Sequence, residues 1–122
     1  MPDGMIILDK PAGATSAAAV AAVKRILPIG TKVGHAGTLD SFATGLLVLL
    51  VGRATRACEQ VMSLPKTYEA TIKLGANTET DDPLSPEQAR DNPVAPPTMS
   101  HIESTLARFV GTVSQRPPRY SA

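Results

Sequence analysis

Leu46-Leu47-Val48-Leu49-Leu50-Val51 is an unbroken aliphatic run closed by Gly52. With no polar position to face water, it reads most simply as a strand buried on both faces. It falls far short of the ~20 apolar residues that cross a bilayer. Immediately upstream, residues 30–45 carry glycines at 30, 34, 37 and 45 and no helical apolar period, which predicts a long structured loop leading into the strand. Immediately downstream, Ala54, Ala57, Cys58, Val61 and Met62 recur at i, i+3, i+4, i+7 and i+8, the stripe of a helix with Cys58 as inert packing on its buried face.

Further out, Met5-Ile6-Ile7-Leu8 predicts a buried strand that turns at Asp9-Lys10-Pro11. Thr15 or Ser16 can cap a helix running to about Leu27, with Val20, Val23 and Leu27 on one stripe and Pro28 ending it. Beyond the second helix, Tyr68, Ala70, Ile72 and Leu74 alternate with Glu69, Thr71 and Lys73, a half-buried strand pattern. Residues 77–97 are polar and proline-rich and read as a surface loop. Ser100 and Glu103 fit a capping box for a helix bearing Ile102, Leu106, Phe109 and Val110, with Gly111 as its stop and Thr112-Val113-Ser114 starting a further strand. Helices and strands alternate without regular βαβ spacing, so the expected class is α+β, with a mixed, largely antiparallel sheet and flanking helices.

Composition narrows the function. The 122 residues suit one domain with a real core, and 43% hydrophobic against 19% charged residues excludes a disordered tail. With two Tyr, two Phe and no Trp, a row of stacking rings for single-stranded RNA is excluded. The net charge of +1 selects no partner. Locally, Lys24, Arg25 and Lys32, then Arg53, Arg56 and Lys66, cluster early, whereas Glu79, Asp81, Asp82, Glu87 and Asp91 gather later; solvated surface explains this as readily as an RNA path. Cys58 is the only cysteine, and His35 and His101 are far apart, so neither a disulfide nor a zinc site is expected. The first ten residues lack the pattern of a signal peptide. A soluble, cytoplasmic protein without a cofactor, metal or membrane partner is expected.

The chemistry-bearing stretch is Gly34-His35-Ala36-Gly37-Thr38-Leu39-Asp40-Ser41-Phe42-Ala43-Thr44-Gly45. It sets an imidazole and a carboxylate on a glycine-hinged loop just before the buried strand. A carboxylate there can act as base, nucleophile or partner of a developing cation. It can equally cap the short turn at 41–45, and spacing alone selects no reaction.

The stretch resembles the signature loop of the TruB family of tRNA pseudouridine synthases, G-H-x-G-x-L-D-x-x-A-x-G, matching at Gly34, His35, Gly37, Leu39, Asp40, Ala43 and Gly45. Gly4 to Pro11 resembles the family's opening G-x-x-x-x-D-K-P, and Thr15-Ser16 the T/S-S after it. Gly52-Arg53-Ala54-Thr55-Arg56 resembles G-x-A-T-K/R, and Lys66-Thr67-Tyr68 resembles K-x-Y. Leu74-Gly75 with Thr78-Glu79-Thr80-Asp81 is similar to the family's L-G-x-x-T-x-T-x-D turn, and Gln115 to Ala122 to Q-x-P-P-x-Y-S-A. The motifs keep the family's order along the whole chain, which is far more specific than any one of them.

The resemblance implies an isomerase that converts a T-loop uridine of tRNA, position 55, to pseudouridine after flipping it out of its stack. It implies Asp40 as the catalytic nucleophile and Tyr68 as the ring against the target base. His35, Gly37, Thr38 and Leu39, with Arg53 and Lys66, are implied as substrate contacts, and Lys10 and Pro11 as support beneath the loop. Covalent addition of Asp40 to the sugar and a glycal route both fit. No cofactor or metal is implied; the partner is the T-arm of tRNA, and the full-length enzyme is a monomer. Ser41 departs from the family, which usually has proline there. Residues 1–122 are expected to be the N-terminal portion of the catalytic domain, without the C-terminal PUA domain of many members. The family's later strands carry an arginine that pairs with the aspartate. The alternative is a catalytically inactive RNA-binding or tRNA-folding fragment, or one whose open sheet edges prevent stable folding.

Overall fold

The computed structural model describes residues 1–89 and 95–120. Asp91 and the Ser121-Ala122 end of the last motif lie outside the described residues. The chain divides into two compact units, 1–68 and 69–122. In the first, strand β1 (Gly4–Lys10), helix α1 (Ser16–Ile26), strand β2 (Val33–His35) and strand β3 (Gly45–Val51) are followed by a 3₁₀ helix (Gly52–Ala57) and helix α2 (Cys58–Met62). The second holds the two-residue strands β4 (Ala76–Asn77) and β5 (Gln88–Ala89) and helix α3 (Met99–Ala107). The class is α+β. All strand pairs among the described residues are antiparallel. No described helix is long and apolar enough to cross a membrane.

The aliphatic run is the central strand of a β1-β3-β2 sheet. Its register pairs Ile6 with Leu49 and Leu8 with Leu47, which puts these four side chains on one face. Leu47, Leu49 and Leu50 are at most 1% exposed, and burying a leucine contributes about 1.5–3 kcal/mol. Burial on both faces holds for only part of the run, because Leu46 remains 65% exposed. β1 is likewise not a buried strand. It alternates, with Met5 and Ile7 outward and Ile6 and Leu8 inward, as an edge strand covered on one face does.

The expected loop 30–45 contains β2, whose Val33, Gly34 and His35 pair with Val51, Leu50 and Leu49. A three-residue strand with a central glycine has no periodicity of its own; its long-range ladder creates it. Helix α1 starts where expected. Thr15 is the cap, its Oγ1 accepting from the Ala18 amide at 3.0 Å, and Lys24 and Arg25 in the last turn suit the negative end of the helix dipole. Helix α1 contacts β2 with Val20 and Val23 half-buried.

The stripe at 54–62 is not one helix. The chain leaves β3 through Gly52 at φ +60°, tightens into the 3₁₀ turn with Thr55 Oγ1 donating to the Gly52 carbonyl at 2.8 Å, and becomes α-helical only at Cys58. Gly52 is required for a second reason: a Cβ there would collide with the Asp3 carboxylate and the Pro2 carbonyl. Asp3 accepts from the Arg53 amide and from Arg53 Nε, each at 2.6 Å. The amide first and the guanidinium second hold the Asp3 carboxyl below the ordinary aspartate range. The clasp is therefore present above that range and is lost as pH falls through the lowered value. Gly52→Ala should cost at least about 1 kcal/mol of stability in a urea titration, from left-handed strain alone. An unchanged midpoint would mean that the turn does not hold this geometry in solution.

In the second unit the expected strand 68–74 is absent. Ile72 and Leu74 are 73% and 58% exposed, because the alternating pattern has no partner strand among the described residues. No strand forms at 112–114 either. The expected loop 77–97 instead holds the β4–β5 hairpin. Thr78 Oγ1 donates to the Asp82 carbonyl at 2.7 Å, and Asp82 Oδ1 accepts from the Leu84 amide at 2.7 Å, so Asp82 is a turn-builder. Helix α3 is capped by Thr98, not Ser100, with Thr98 Oγ1 accepting from the His101 amide at 3.2 Å. It ends at Ala107, before Gly111, which leaves Phe109 and Val110 outside the helix and exposed.

Candidate active site

The loop between β2 and β3 carries Asp40 and is held from two sides by the segment that joins β1 to α1. Lys10, the last residue of β1, is fully buried, and its ammonium donates to the carbonyls of Pro11 (2.9 Å), Ala14 (2.6 Å) and Ser41 (3.4 Å). A buried cation needs such partners, and three carbonyls supply them. The Gly13 amide donates to the same Ser41 carbonyl at 2.6 Å; at φ +86° Gly13 makes the turn that aims it there. On the other side of Asp40, the Ser16 hydroxyl donates to the Leu39 carbonyl at 3.2 Å and accepts from the Leu39 amide at 3.0 Å. Ser41 is thus a polar anchor: its carbonyl takes bonds from both Lys10 and Gly13.

Between these anchors the Asp40 side chain is exposed and makes no hydrogen bond among the described residues. The turn at 40–43 is closed by the Asp40 backbone carbonyl, which accepts from the Ala43 amide at 3.0 Å. The carboxylate does not cap it, so both of its oxygens are available to a ligand.

His35 ends β2, and its Nδ1 lies 2.9 Å from the Gly37 carbonyl. A carbonyl can only accept, so Nδ1 carries the proton, which leaves Nε2 as the acceptor in the neutral ring. Cys58 Sγ lies 3.6 Å from the His35 carbonyl, so this cysteine, half-buried as expected, also ties α2 to the start of the loop. Gly37 has φ +117°, a left-handed backbone that favours glycine, and the Lys66 side chain lies beside it, Cε 3.8 Å from where a Cβ would stand. The Lys66 ammonium donates to the Met62 and Leu64 carbonyls at the end of α2. Thr38 is exposed and Leu39 half-buried.

The structure does not bring all the expected residues together. Tyr68 is 68% exposed and does not lie on the buried face of a strand, the place that the alternating pattern predicts. Arg53 stands beyond the opposite end of β3 from Asp40, a strand length of roughly 20 Å away. There Lys32, Arg53 and Arg56 line a shallow cleft of about 300 Å³ together with Asp3. Lys66 therefore lies beside the Asp40 loop, Lys32, Arg53 and Arg56 at the far end of the sheet, and Lys24 and Arg25 in the last turn of α1. Among the described residues no three His, Cys, Asp or Glu side chains converge as metal ligands. In the sequence Ser16 shows as a possible helix cap and as part of the Thr15-Ser16 pair, with no sign of its bond to Leu39. The pair does set two hydroxyls where a helix start uses one.

Residues 24–122 match the family model for the N-terminal domain of TruB family pseudouridylate synthases. The chain belongs to the TruB family. Among relatives of this family, it is 51% identical over 120 residues to tRNA pseudouridine synthase B of Desulfotalea psychrophila, covering 98% of the chain and 48% of the relative. The enzyme of the same name from Opitutus terrae is 44% identical over 120 residues, 98% of the chain and 49% of its own length. That of Treponema pallidum is 45% identical over 122 residues, the whole chain and 32% of its own length. The chain thus spans about half or less of the length of these TruB relatives.

Proposed function

We propose that this chain is the Asp40-bearing N-terminal portion of the catalytic domain of an isomerase that converts uridine 55 in the T-loop of tRNA to pseudouridine. The observation that carries the proposal is the free, outward-facing carboxylate of Asp40 on a loop anchored at both neighbouring residues. Family membership and the names of the relatives support the reaction class.

The N1–C1′ bond of the uridine breaks, uracil turns, C5 joins C1′, and the C5 proton is lost while N1 gains one. The isomerisation leaves oxidation state and composition unchanged. As the glycosidic bond opens, positive charge develops at C1′, and the ionised Asp40 oxygen stabilises or traps it. The target uridine has to leave its stack to reach Asp40. His35 Nε2, Gly37, Thr38 and the Leu39 side chain are the groups of this loop that meet the flipped nucleotide, with Tyr68 as the ring against its base. Lys10 and Pro11 support the loop from beneath. The proposed test is pseudouridine mapping on an unmodified T-arm transcript after incubation with the protein. A chain that binds the transcript without forming pseudouridine would be an RNA-binding fragment instead.

Affinity is expected to come from phosphate contacts that read the folded shape of the T-arm. The cleft of Lys32, Arg53 and Arg56 offers such a contact away from the reacting base. Replacing all three by Gln should weaken T-arm binding and lower the slope of log K against log salt by about one for each phosphate no longer neutralised. An unaltered slope would place these cations on solvated surface.

A further inference from the structure

Asp40 has no hydrogen bond through its carboxylate among the described residues, so what the fold fixes is its backbone and Cβ, the origin from which the carboxylate swings. Besides the Asp40 carbonyl's own bond from the Ala43 amide, that backbone is held through its two neighbours. On the C-terminal side the Ser41 carbonyl is shared by Lys10 and Gly13. On the N-terminal side both polar groups of Leu39 are engaged by one hydroxyl, that of Ser16. Ser16 is 3% exposed, and Thr15 already caps α1, so the hydroxyl of Ser16 is not needed to start the helix.

We propose that Ser16 is a positioning residue for Asp40, holding the residue before it by both backbone groups so that the carboxylate meets the ribose in a fixed place. The catalytic half of this statement rests on the isomerase reading above; the clamp itself does not. Oxygens set about 1 Å off line cost on the order of a hundredfold in rate, and a loop pinned on one side only would sample such displacements.

Residue-resolved amide exchange in the chain tests the clamp. Ser16→Ala should speed exchange at the Leu39 amide at least about tenfold and leave the Leu49 amide of the β3 ladder unchanged. Ser16→Thr, which keeps a hydroxyl, should return Leu39 toward the parent rate. If the added methyl unsettles the whole unit, seen as faster exchange at Leu49, Ser16→Cys takes its place and should fall between parent and Ala, since a thiol bonds weakly. In the chain joined after Ala122 to the C-terminal remainder of the Opitutus terrae relative, Ser16→Ala should lower kcat about tenfold or more with KM within about twofold, and the hydroxyl variant should recover it.

Unchanged Leu39 exchange in Ser16→Ala overturns the proposal. So does an unchanged kcat despite faster exchange, or an equal loss in the Ala and hydroxyl variants. A parent joined chain without turnover counts against the isomerase reading, while the exchange measurement decides the clamp separately.

Discussion

Asp40→Asn is expected to abolish pseudouridine formation while leaving T-arm binding within about tenfold of the parent. The substitution keeps the size of the side chain and its place on the loop. The Asp40 carboxylate makes no hydrogen bond among the described residues, so the fold loses nothing when it becomes an amide. On the proposed reaction, what disappears is the anionic oxygen that meets the developing charge at C1′, and only interactions gained in the transition state accelerate the step. The effect should therefore fall on single-turnover rate, with the dissociation constant nearly constant. The measurement is single-turnover pseudouridylation of a T-arm transcript beside a filter-binding titration. A variant turning over at a rate near that of the parent would remove Asp40 from the reaction.

The second large effect concerns what surrounds Asp40. Its side chain is exposed, and Tyr68 is 68% exposed. In water two unit charges at 4 Å interact by only ~1 kcal/mol, several-fold less than in a water-excluded site. The 122 residues alone should accordingly turn over at least about a hundredfold more slowly than the same residues joined to the C-terminal remainder of the Opitutus terrae relative. The comparison is made at saturating transcript, so that weaker binding does not enter. Equal rates would show that the residues of this chain complete the site by themselves.

The parts of the fold legible in the sequence were those with local causes. The aliphatic run at 46–51 reads as a buried strand, and most of it is one; a hydroxyl at Thr15 or Ser16 before an alanine-rich amphipathic stretch marks the start of α1, which Thr15 caps. What stayed hidden depends on partners distant in sequence. β2 exists because Val33 and His35 find Val51 and Leu49, and a glycine-centred triplet shows no pattern of its own. The alternation at 68–74 misled for the converse reason, since a period of two specifies a strand only where another strand pairs with it. At 54–62 the helical stripe was real, but the left-handed Gly52 imposed a 3₁₀ entry that periodicity does not reveal. Ser100 and Glu103 matched a capping box, yet Thr98 lay two residues earlier with an extended backbone and took the role.

The candidate site shows the same division. Asp40 and His35 stood out because resemblance to the family's loop marked them, and the structure places them on one loop. The anchors of that loop were less visible. Lys10 was read as support, but its three carbonyl partners lie in two separate segments. Ser16 is a buried hydroxyl whose target is 23 residues away in sequence. The basic residues Arg53 and Lys66, grouped by charge alone, are divided by the length of β3.

The most direct measurement is site mapping of pseudouridine, by carbodiimide labelling and primer extension, on an unmodified tRNA transcript treated with the joined chain and with its Asp40→Asn variant. The expected result is one new stop, at position 55, present with the parent joined chain and absent with the variant. Pseudouridine at another position, or a stop at 55 that survives the substitution, would contradict the assignment of Asp40 to this reaction.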